Sequence, residues 1–468
     1  MSKKAVIGSA VVVLLAAYGG GTWYAGQRAE ARVQEIMAEA RELVGDAAKL
    51  THEYKRGFFT SHLNTVLEWQ ESSAGATIKV ITDSTVRHGP LAGARFAAAV
   101  VETKLTSVEG LDDETKAIFA KASAPVLTTI MPLTGGHDYR LAVPAGQLGD
   151  DEATITWKDM QYSLDFNGDK SRYTVSVSVP SIDMKFSQLP EAGLAGGAAE
   201  ATSFMTFKLD GMSAQGEFRP QDGLWLVSPG NSKGAIKSIT ASNNQNGAEQ
   251  SLINWKDVSY TTVVAREGEH FSVTSDVKTQ GTLGPVSFDK IALNEQLSRL
   301  DAKAARTLQD YLVKAYQAAK NKEAQSVDQL TEDPAVKSAI ESFFAALPAY
   351  QLKLSATRNG EDAELSYGLG IGSAPDAALV ASGGYETALL KVGTFDVSAK
   401  LPKAWLGEIA EQVMGQKPEQ AQIDAMVGMG EAQGFLVQQD KHLTSKLRIA
   451  AGKLELNGKE MPMPFGLN

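Results

Sequence analysis

ITWKDMQY (Ile155–Tyr162) returns further along the chain as INWKDVSY (Ile253–Tyr260), and the reading of this pair decides the fold. With only 6 tryptophans in 468 residues, two Trp-Lys-Asp triplets in matching surroundings mark an internal repeat. In both copies the apolar phase slips by one residue at Lys-Asp, from Ile and Trp to Met160 or Val258 and then Tyr. Alternate residues of a strand face opposite sides of a sheet, so the slip predicts a β-bulge that absorbs one residue. Each copy runs on, through Leu164 and Phe166 or through Thr262 and Val264, to a polar turn at Asn167–Asp169 or Glu267–Glu269. Each then returns in alternation, as Tyr173, Val175, Val177 and Val179 or as Phe271, Val273, Ser275 and Val277. Two hairpins are expected, at about 153–180 and 251–278. Trp157, Lys158 and Asp159, with Trp255, Lys256 and Asp257, read as packing and bulge residues, not as ligand contacts.

Outward from the repeat, a period of two governs most of the chain. SHLNTVLEW (Ser61–Trp69) sets Leu63, Leu67 and Trp69 against His62, Asn64 and Glu68, which predicts a half-buried strand. Asn359-Gly360 and Asn457-Gly458 suit type I′ hairpin turns, whose two central residues both need φ > 0. Beyond the first of these, Ala363, Leu365, Tyr367, Leu369 and Ile371 alternate with polar residues and glycines, and another strand is expected in TALLKVGTFDVSAKL (Thr387–Leu401). Helical spacing occurs at Leu297, Leu300, Ala304, Leu308, Tyr311, Leu312 and Ala315. Asp333-Pro334 reads as the N-cap and first residue of a second helix, which Pro348 stops. Shorter helices are expected at Asp112–Ala122 and from Pro402 to about Gly430.

The N-terminus begins with Lys3 and Lys4, followed by an uncharged run from Ala5 to Gly26. As a helix such a run covers roughly 30 Å, enough to cross the hydrocarbon core of a bilayer. A secretory signal shares the basic start and short apolar core, but no A-x-A cleavage site follows it. Trp23 and Tyr24 stand where an interfacial aromatic belt would, and the lysines on the near side place the N-terminus in the cytoplasm. The expectation is a retained single-pass signal-anchor. Val33, Ile36, Met37, Ala40, Leu43, Val44, Ala47 and Leu50 then recur at helical spacing, with the charges mostly on the other face. The expected fold is therefore α+β: mainly antiparallel β-sheet with repeated hairpins, an inserted helical hairpin and an N-terminal transmembrane helix. Its expected parts are an anchor (1–27), an amphipathic helix (28–51), a β-rich region (52–290), a helical hairpin (291–348) and a C-terminal α+β region (349–468).

YKRGFFTS (Tyr54–Ser61), set after an N-terminal anchor and before an alternating strand, resembles the signature of the bacterial YdgA/YihF-like family of unknown function. The paired Trp-Lys-Asp region and the closing GKLELNGK (Gly452–Lys459) fit the same resemblance, which covers nearly the whole chain. It implies a bacterial inner-membrane protein with a periplasmic body, and no activity. Tyr54, Arg56, Gly57 and Phe58 are read as structural, Gly57 at a helix-to-strand corner and Arg56 in a hydrogen bond or ion pair. A looser likeness to AsmA-type envelope proteins is a fold-level analogy only.

Composition excludes much else. The formal net charge is −10 and no Lys/Arg run is clustered, which argues against nucleic acid. Cysteine is absent, and with it disulfides, thiolate metal sites, thiol nucleophiles and an acylated cysteine. The 6 histidines form no H-x-x-x-H spacing. GMSAQG (Gly211–Gly216) misses a nucleophile elbow by one residue, and GLGIG (Gly368–Gly372) precedes no helix that could cradle phosphate. DFNGD (Asp165–Asp169) departs from a calcium loop at Lys170, where glycine is required. No catalytic residue, cofactor or metal is expected. Repeated hairpins with one apolar face must cover that face with helices, a second sheet, a partner or lipid. The expected function is a non-enzymatic, membrane-anchored protein of the cell envelope that binds a lipid-like ligand or an envelope partner along a β surface. The alternatives are a scaffold for envelope assembly with no small ligand, and a periplasmic hydrolase whose catalytic residues converge from afar.

Overall fold

Antiparallel pairing dominates because alternating segments follow one another at short intervals, so consecutive strands zip up as hairpins. The computed structural model describes residues 3–45, 48–70, 77–93, 95–112, 123–150, 152–187, 204–225, 227–245, 248–320, 334–375, 391–414 and 418–462; the side chains of 3–17, 19, 39, 43, 245, 248, 312–320 and 412–414 are also outside the description. The chain forms two compact units. Unit 1 comprises residues 1–220, 242–249 and 312–326; unit 2 comprises 221–241, 250–311 and 327–468. Each unit contains one copy of the Trp-Lys-Asp repeat.

Unit 1 begins with helix α1 (Lys3–Val44). There follow β1 (Ala48–Lys55), β2 (Thr60–Gln70), β3 (Thr77–His88), a small hairpin of β4 (Leu91–Ala92) and β5 (Arg95–Phe96), and β6 (Ala99–Glu109). Next come β7 (Val126–Met131), β8 (His137–Val143), β9 (Gly146–Gly149), β10 (Ala153–Trp157), β11 (Met160–Phe166), β12 (Tyr173–Phe186) and β13 (Phe204–Phe218). Antiparallel neighbours run β1-β2-β3-β6-β7-β8-β11-β12-β13, with β10 between β9 and β12. The amphipathic helix ends at Val44, seven residues sooner than its expected limit of 51, because Gly45 adopts φ 55 and stops it, a left-handed turn that glycine makes without strain. Ala48–Lys55 instead pairs with β2 along its whole length.

Small residues let α1 lie close on the sheet. Thr22, Ala25, Ala29 and Val33 are buried at helical spacing, and Ala29 packs with Val86, Ala99, Val101 and Met131 while Ile36 and Tyr54 flank them. Val100 and Ile130, one position along, face the other side and pack with Ala92 and Ala97 of the small hairpin. The closest approach is at Gly26, where a Cβ would stand 2.6 Å from His88 Nδ1. His88 is itself buried, bonded through Nε2 to Ser61 Oγ at 2.9 Å and through Nδ1 to the Phe58 carbonyl at 2.9 Å. Among the described residues no helix is long and apolar enough to cross a membrane. The side chains of Lys3, Lys4 and the apolar run to Ala17 lie outside the description.

Unit 2 holds most of β14 (Gly230–Gln245) and β15 (Ala248–Glu267), then β16 (His270–Leu283) and β17 (Val286–Asp301). Helices α2 (Ala302–Lys320) and α3 (Pro334–Ala345) precede β18 (Ala349–Arg358), β19 (Glu361–Ile371) and β20 (Gly393–Pro402). Helices α4 (Leu406–Met414) and α5 (Gln420–Ala432) lead to β21 (Val437–Gln439), β22 (His442–Ala450), β23 (Lys453–Leu456) and β24 (Lys459–Met461). Antiparallel order is β15-β16-β17-β18-β19-β20-β22-β23-β24, with β21 also on β22. The expected helical hairpin from 291 starts late: 291–301 belongs to β17, which is held on both sides by β16 and β18. Asp301 ends the strand and caps α2, accepting the Ala304 N–H at 2.7 Å and the Ser342 hydroxyl of α3 at 2.8 Å. Pro334 opens α3 as expected, while Asp333 and the helix expected at 113–122 are outside the described residues. Both Asn-Gly turns have the two positive φ angles of type I′, 52 and 75 at Asn359-Gly360 and 51 and 77 at Asn457-Gly458.

The two repeat copies differ at the phase slip. In unit 2 the register shifts between Lys256 and Ser259, with Asp257 at φ 52 and its carboxylate accepting from the Gln280 amide at 2.8 Å, a bulge as expected. In unit 1 no residue is absorbed: Trp157 pairs with Ile182 and Gln161 with Ser178 in unbroken register, and the strand simply parts at Lys158-Asp159. There Asp159 accepts the Ala145 N–H at 2.6 Å and Lys158 N–H bonds the Ser181 carbonyl at 3.1 Å, so the ladder's polar groups are met without a slip. Trp157 is buried over Gly146 and donates Nε1–H to the Pro144 carbonyl at 2.8 Å, whereas Trp255 is only half-buried. Trp157→Ala is therefore expected to cost about 3–5 kcal/mol in urea titration of the detergent-solubilised chain, and Trp255→Ala less. Equal losses would contradict this asymmetry. Gly26→Val should drive out the His88 ring and cost about 1–3 kcal/mol. Gly20→Ala, whose Cβ meets nothing within 4 Å, should stay within about 0.5 kcal/mol in the same titration.

Candidate functional site, an apolar trough on the sheet

The register of unit 2 stacks apolar side chains in rows across five strands. Leu297, Tyr350, Leu369, Phe395 and Ile449 are successive cross-strand partners on β17, β18, β19, β20 and β22. Two residues along, the row is Glu295, Leu352, Tyr367, Val397 and Leu447; next Leu293, Leu354, Leu365, Ala399 and Ser445; a fourth row is made of Ile291, Ala356 and Ala363 on β17–β19 and, past the end of the β19–β20 ladder, the pair Leu401 and Leu443. Directly opposed residues project to one face, so these four rows form one apolar surface. The intervening positions are polar, as in Asn294, Lys353, Ser366, Ser398 and Lys446, and Lys353 pairs there with Glu364 at 2.7 Å.

Helices cover this surface at its two ends. Phe343 and Phe344 of α3, in edge contact at 5.7 Å, overhang the first row and close a cavity of about 850 Å³ whose wall is almost wholly carbon. A second apolar cavity, of about 520 Å³, continues between α2 and α3 behind the same two rings. At the other end Ile423 and Val427 of α5 bury Leu443 of the last row. Leu369, in the floor of the first cavity, is still 44% exposed, and Leu354 and Leu365 of the third row, between the covers, are 39% and 47% exposed. From Leu369 to Ala363 the trough runs about 20 Å, six residues at about 3.4 Å each. Glu295 is the one charged side chain in the four rows; it accepts a hydrogen bond from the Tyr350 hydroxyl and so raises that phenol's pKa. Such a surface offers an extended apolar guest dispersion and dehydration along its length, with polar contact at one point.

The residues singled out in the sequence fall elsewhere. Tyr54 lies near the end of β1, paired with Leu63 of β2, and Arg56, Gly57 and Phe58 form the turn that follows, a strand-to-strand corner and not the expected helix-to-strand one. A Cβ at Gly57 would collide with the Thr60 carbonyl, and its N–H donates to Ser61 Oγ at 3.2 Å. Arg56 reaches α1: it donates to the Trp23 carbonyl at 3.2 Å, pairs with Glu30 at 3.4 Å and stacks 5.6 Å over the Trp23 ring. Burial raises the pKa of the Tyr54 phenol. Tyr24 lies beneath Arg28, 5.2 Å from guanidinium to ring. The motif is thus a clamp on α1, completed by His88, Ser61 and Glu30, which sequence reading passed over because nothing local links them to residues 23–26. Trp157, Lys158 and Asp159, with Trp255, Lys256 and Asp257, serve the strand breaks described above and do not join the trough. Leu365, Tyr367 and Leu369 were recognised as alternating, but their cross-strand rows depend on pairings remote in sequence.

Among known proteins, the family model described as a bacterial protein of unknown function (DUF945) matches residues 1–464. The chain is 21% identical to Protein YdgA of Escherichia coli K12, over 99% of this chain and 95% of that one. It is 24% identical to the uncharacterized protein YihF of the same organism, over 98% of this chain and 97% of that one. Matched end to end in this way, the chain belongs to the DUF945 family of bacterial proteins of unknown function.

Proposed function

We propose that this chain is an envelope protein, held in the bacterial inner membrane by the N-terminal half of α1 with its body on the periplasmic side. The trough of unit 2 receives the hydrocarbon chain of a lipid-like ligand, and the protein turns over nothing. The anchor reading rests on the order of residues along one helix: Lys3 and Lys4, the uncharged run Ala5–Gly26 with Trp23 and Tyr24 near its end, then Arg28. The ligand reading rests on a single observation, the exposed Leu354 and Leu365 between two helical covers, continuous with the exposed Leu369 in the floor of the first cavity, on one apolar sheet face. Monomeric proteins seldom leave contiguous apolar surface of this kind without a use for it.

The test uses the full chain in vesicles containing a phospholipid with a diazirine near the end of its acyl chain. After illumination, cross-links are expected on peptides of β18–β20, and Leu369→Arg should reduce them about tenfold, since a buried charge repels hydrocarbon. Cross-links confined to α1 would overturn the ligand reading and favour a scaffold. Ester, glycan or peptide hydrolysis that tracks the pure protein would overturn its non-enzymatic part. The anchor is tested separately: the mature N-terminus should remain near Met1 and the protein should resist alkaline extraction, whereas a start between Gly20 and Gln27 would mean cleavage.

A further inference from the structure

The clamp on α1 leaves a group of large apolar side chains in water. Phe58 is 50% exposed, Phe59 57%, Leu91 54% and Phe96 75%, beside Trp23 at 51% and Tyr24 at 54%. They come from three separate pieces of chain: α1, the β1–β2 corner and the β4–β5 hairpin. His88 brings these pieces together, bonding the Phe59 carbonyl through its N–H at 2.9 Å and the Phe58 carbonyl through Nδ1 at 2.9 Å. A Cβ on Gly21 would touch Pro90 at 3.6 Å, and the Tyr18 and Phe59 rings stack at 6.5 Å. None of these exposed side chains is needed for the core of unit 1, which lies around Ala29 and Val101 and around Val100 and Ile130.

We propose that this end of unit 1 is a docking face for the lipid bilayer, in which Phe58, Phe59, Leu91 and Phe96 enter the interface around α1 while Arg28 and Arg56 meet lipid phosphates. It rests on the anchor reading above and adds to it a second, peripheral attachment. The occupant is indicated by the helix. α1 is continuous from Lys3 to Val44, so the exposed group surrounds the stretch where its uncharged run ends. Along that helix the order is apolar run, then Trp23 and Tyr24, then Arg28, stacked 5.2 Å over Tyr24, while Arg56 of the β1–β2 corner stacks 5.6 Å over Trp23. Hydrocarbon, aromatic belt and phosphate layer succeed one another in this order through a membrane interface. Arginine suits the last layer because its planar donors match phosphate oxygens. A single helix leaves a body free to swivel and tilt, and side chains inserted on loops around that helix remove this freedom. Unit 1 is thereby held at a fixed height and attitude on the membrane.

The cysteine-free chain permits a direct test on the full-length protein. Phe96→Cys and Lys49→Cys, each the sole cysteine, are labelled with an NBD fluorophore in phosphatidylethanolamine/phosphatidylglycerol vesicles carrying nitroxide lipids. Lys49 is exposed and neighbours Leu50, whose carbonyl accepts from Arg41 at 3.0 Å. Arg41 stands about 27 Å up the helix from Trp23, at about 1.5 Å per residue. The expected result is nitroxide quenching at position 96 at least about threefold stronger than at 49, with the protein resistant to alkaline extraction. Resistant protein with position 96 as weakly quenched as 49 would overturn the docking face and leave the anchor standing. Release at alkaline pH with no quenching at either position would overturn both. An NBD group at 96 that is shielded yet insensitive to lipid nitroxides would assign the face to a protein contact, against the proposal.

Discussion

An antiparallel sheet with one polar and one apolar face must hide the apolar one, and among the described residues of unit 2 the helices cover it at its ends. This constraint organises the C-terminal half of the chain. Four rows of leucines, aromatics and alanines arise because five strands pair without a register slip, so that a period of two in each strand becomes a continuous surface. Helix α3 is fixed over one end through Asp301, which also starts α2, and α5 sits over Leu443 at the other. The middle is left with Leu354 and Leu365 facing outward, next to the partly exposed Leu369 at the edge of the first cover. Covering them with more helix would stabilise the fold further by roughly 25 cal/mol for each Å² of apolar surface removed from water. Leaving them open is what a binding surface for an apolar chain requires.

In unit 1 the corresponding problem is solved by α1. Its small residues bring it against β3 and β6, and the Gly26–His88 contact sets how close it comes. The motif Tyr54–Ser61 then works as one device. Gly57 makes the turn tight, Ser61 and His88 tie its backbone, and Arg56 crosses to the helix at Trp23 and Glu30. A residue pattern that reads as a family signature is thus explained by helix placement. Its outward consequence is that Phe58 and Phe59 are held exposed near Trp23 and Tyr24 of α1.

The features legible in the sequence were those whose cause is local. The Asn-Gly turns were readable because their backbone angles suit so few residues, and the alternation of Leu365, Tyr367 and Leu369 because a strand imposes it directly. The Trp-Lys-Asp repeat was readable as a pair of hairpins, yet only the second copy bulges; in the first, Asp159 bonds Ala145 across an unbroken register, a contact invisible without the partner strand. Leu297 and Leu300 mimicked a helical stripe with Ala304, while Leu293, Glu295 and Leu297 in fact alternate on β17 because β16 and β18 claim its backbone. An apolar sheet face and a bonded Arg56 could be read, but the rows of the trough and the partners of the α1 clamp could not. The first needs the register of five strands, the second needs His88 to lie against Gly26, and both are tertiary facts.

The central claim is that the trough of unit 2 holds an acyl chain. Its most direct measurement is native mass spectrometry of the full chain released from membranes into polymer nanodiscs and then into a mild detergent. The protein should retain one lipid-sized adduct, identified by fragmentation, that survives detergent exchange and disappears in Leu365→Glu while the variant keeps its circular dichroism spectrum. A correctly folded wild-type protein that flies free of any lipid, or an adduct that persists unchanged in Leu365→Glu, would contradict the account.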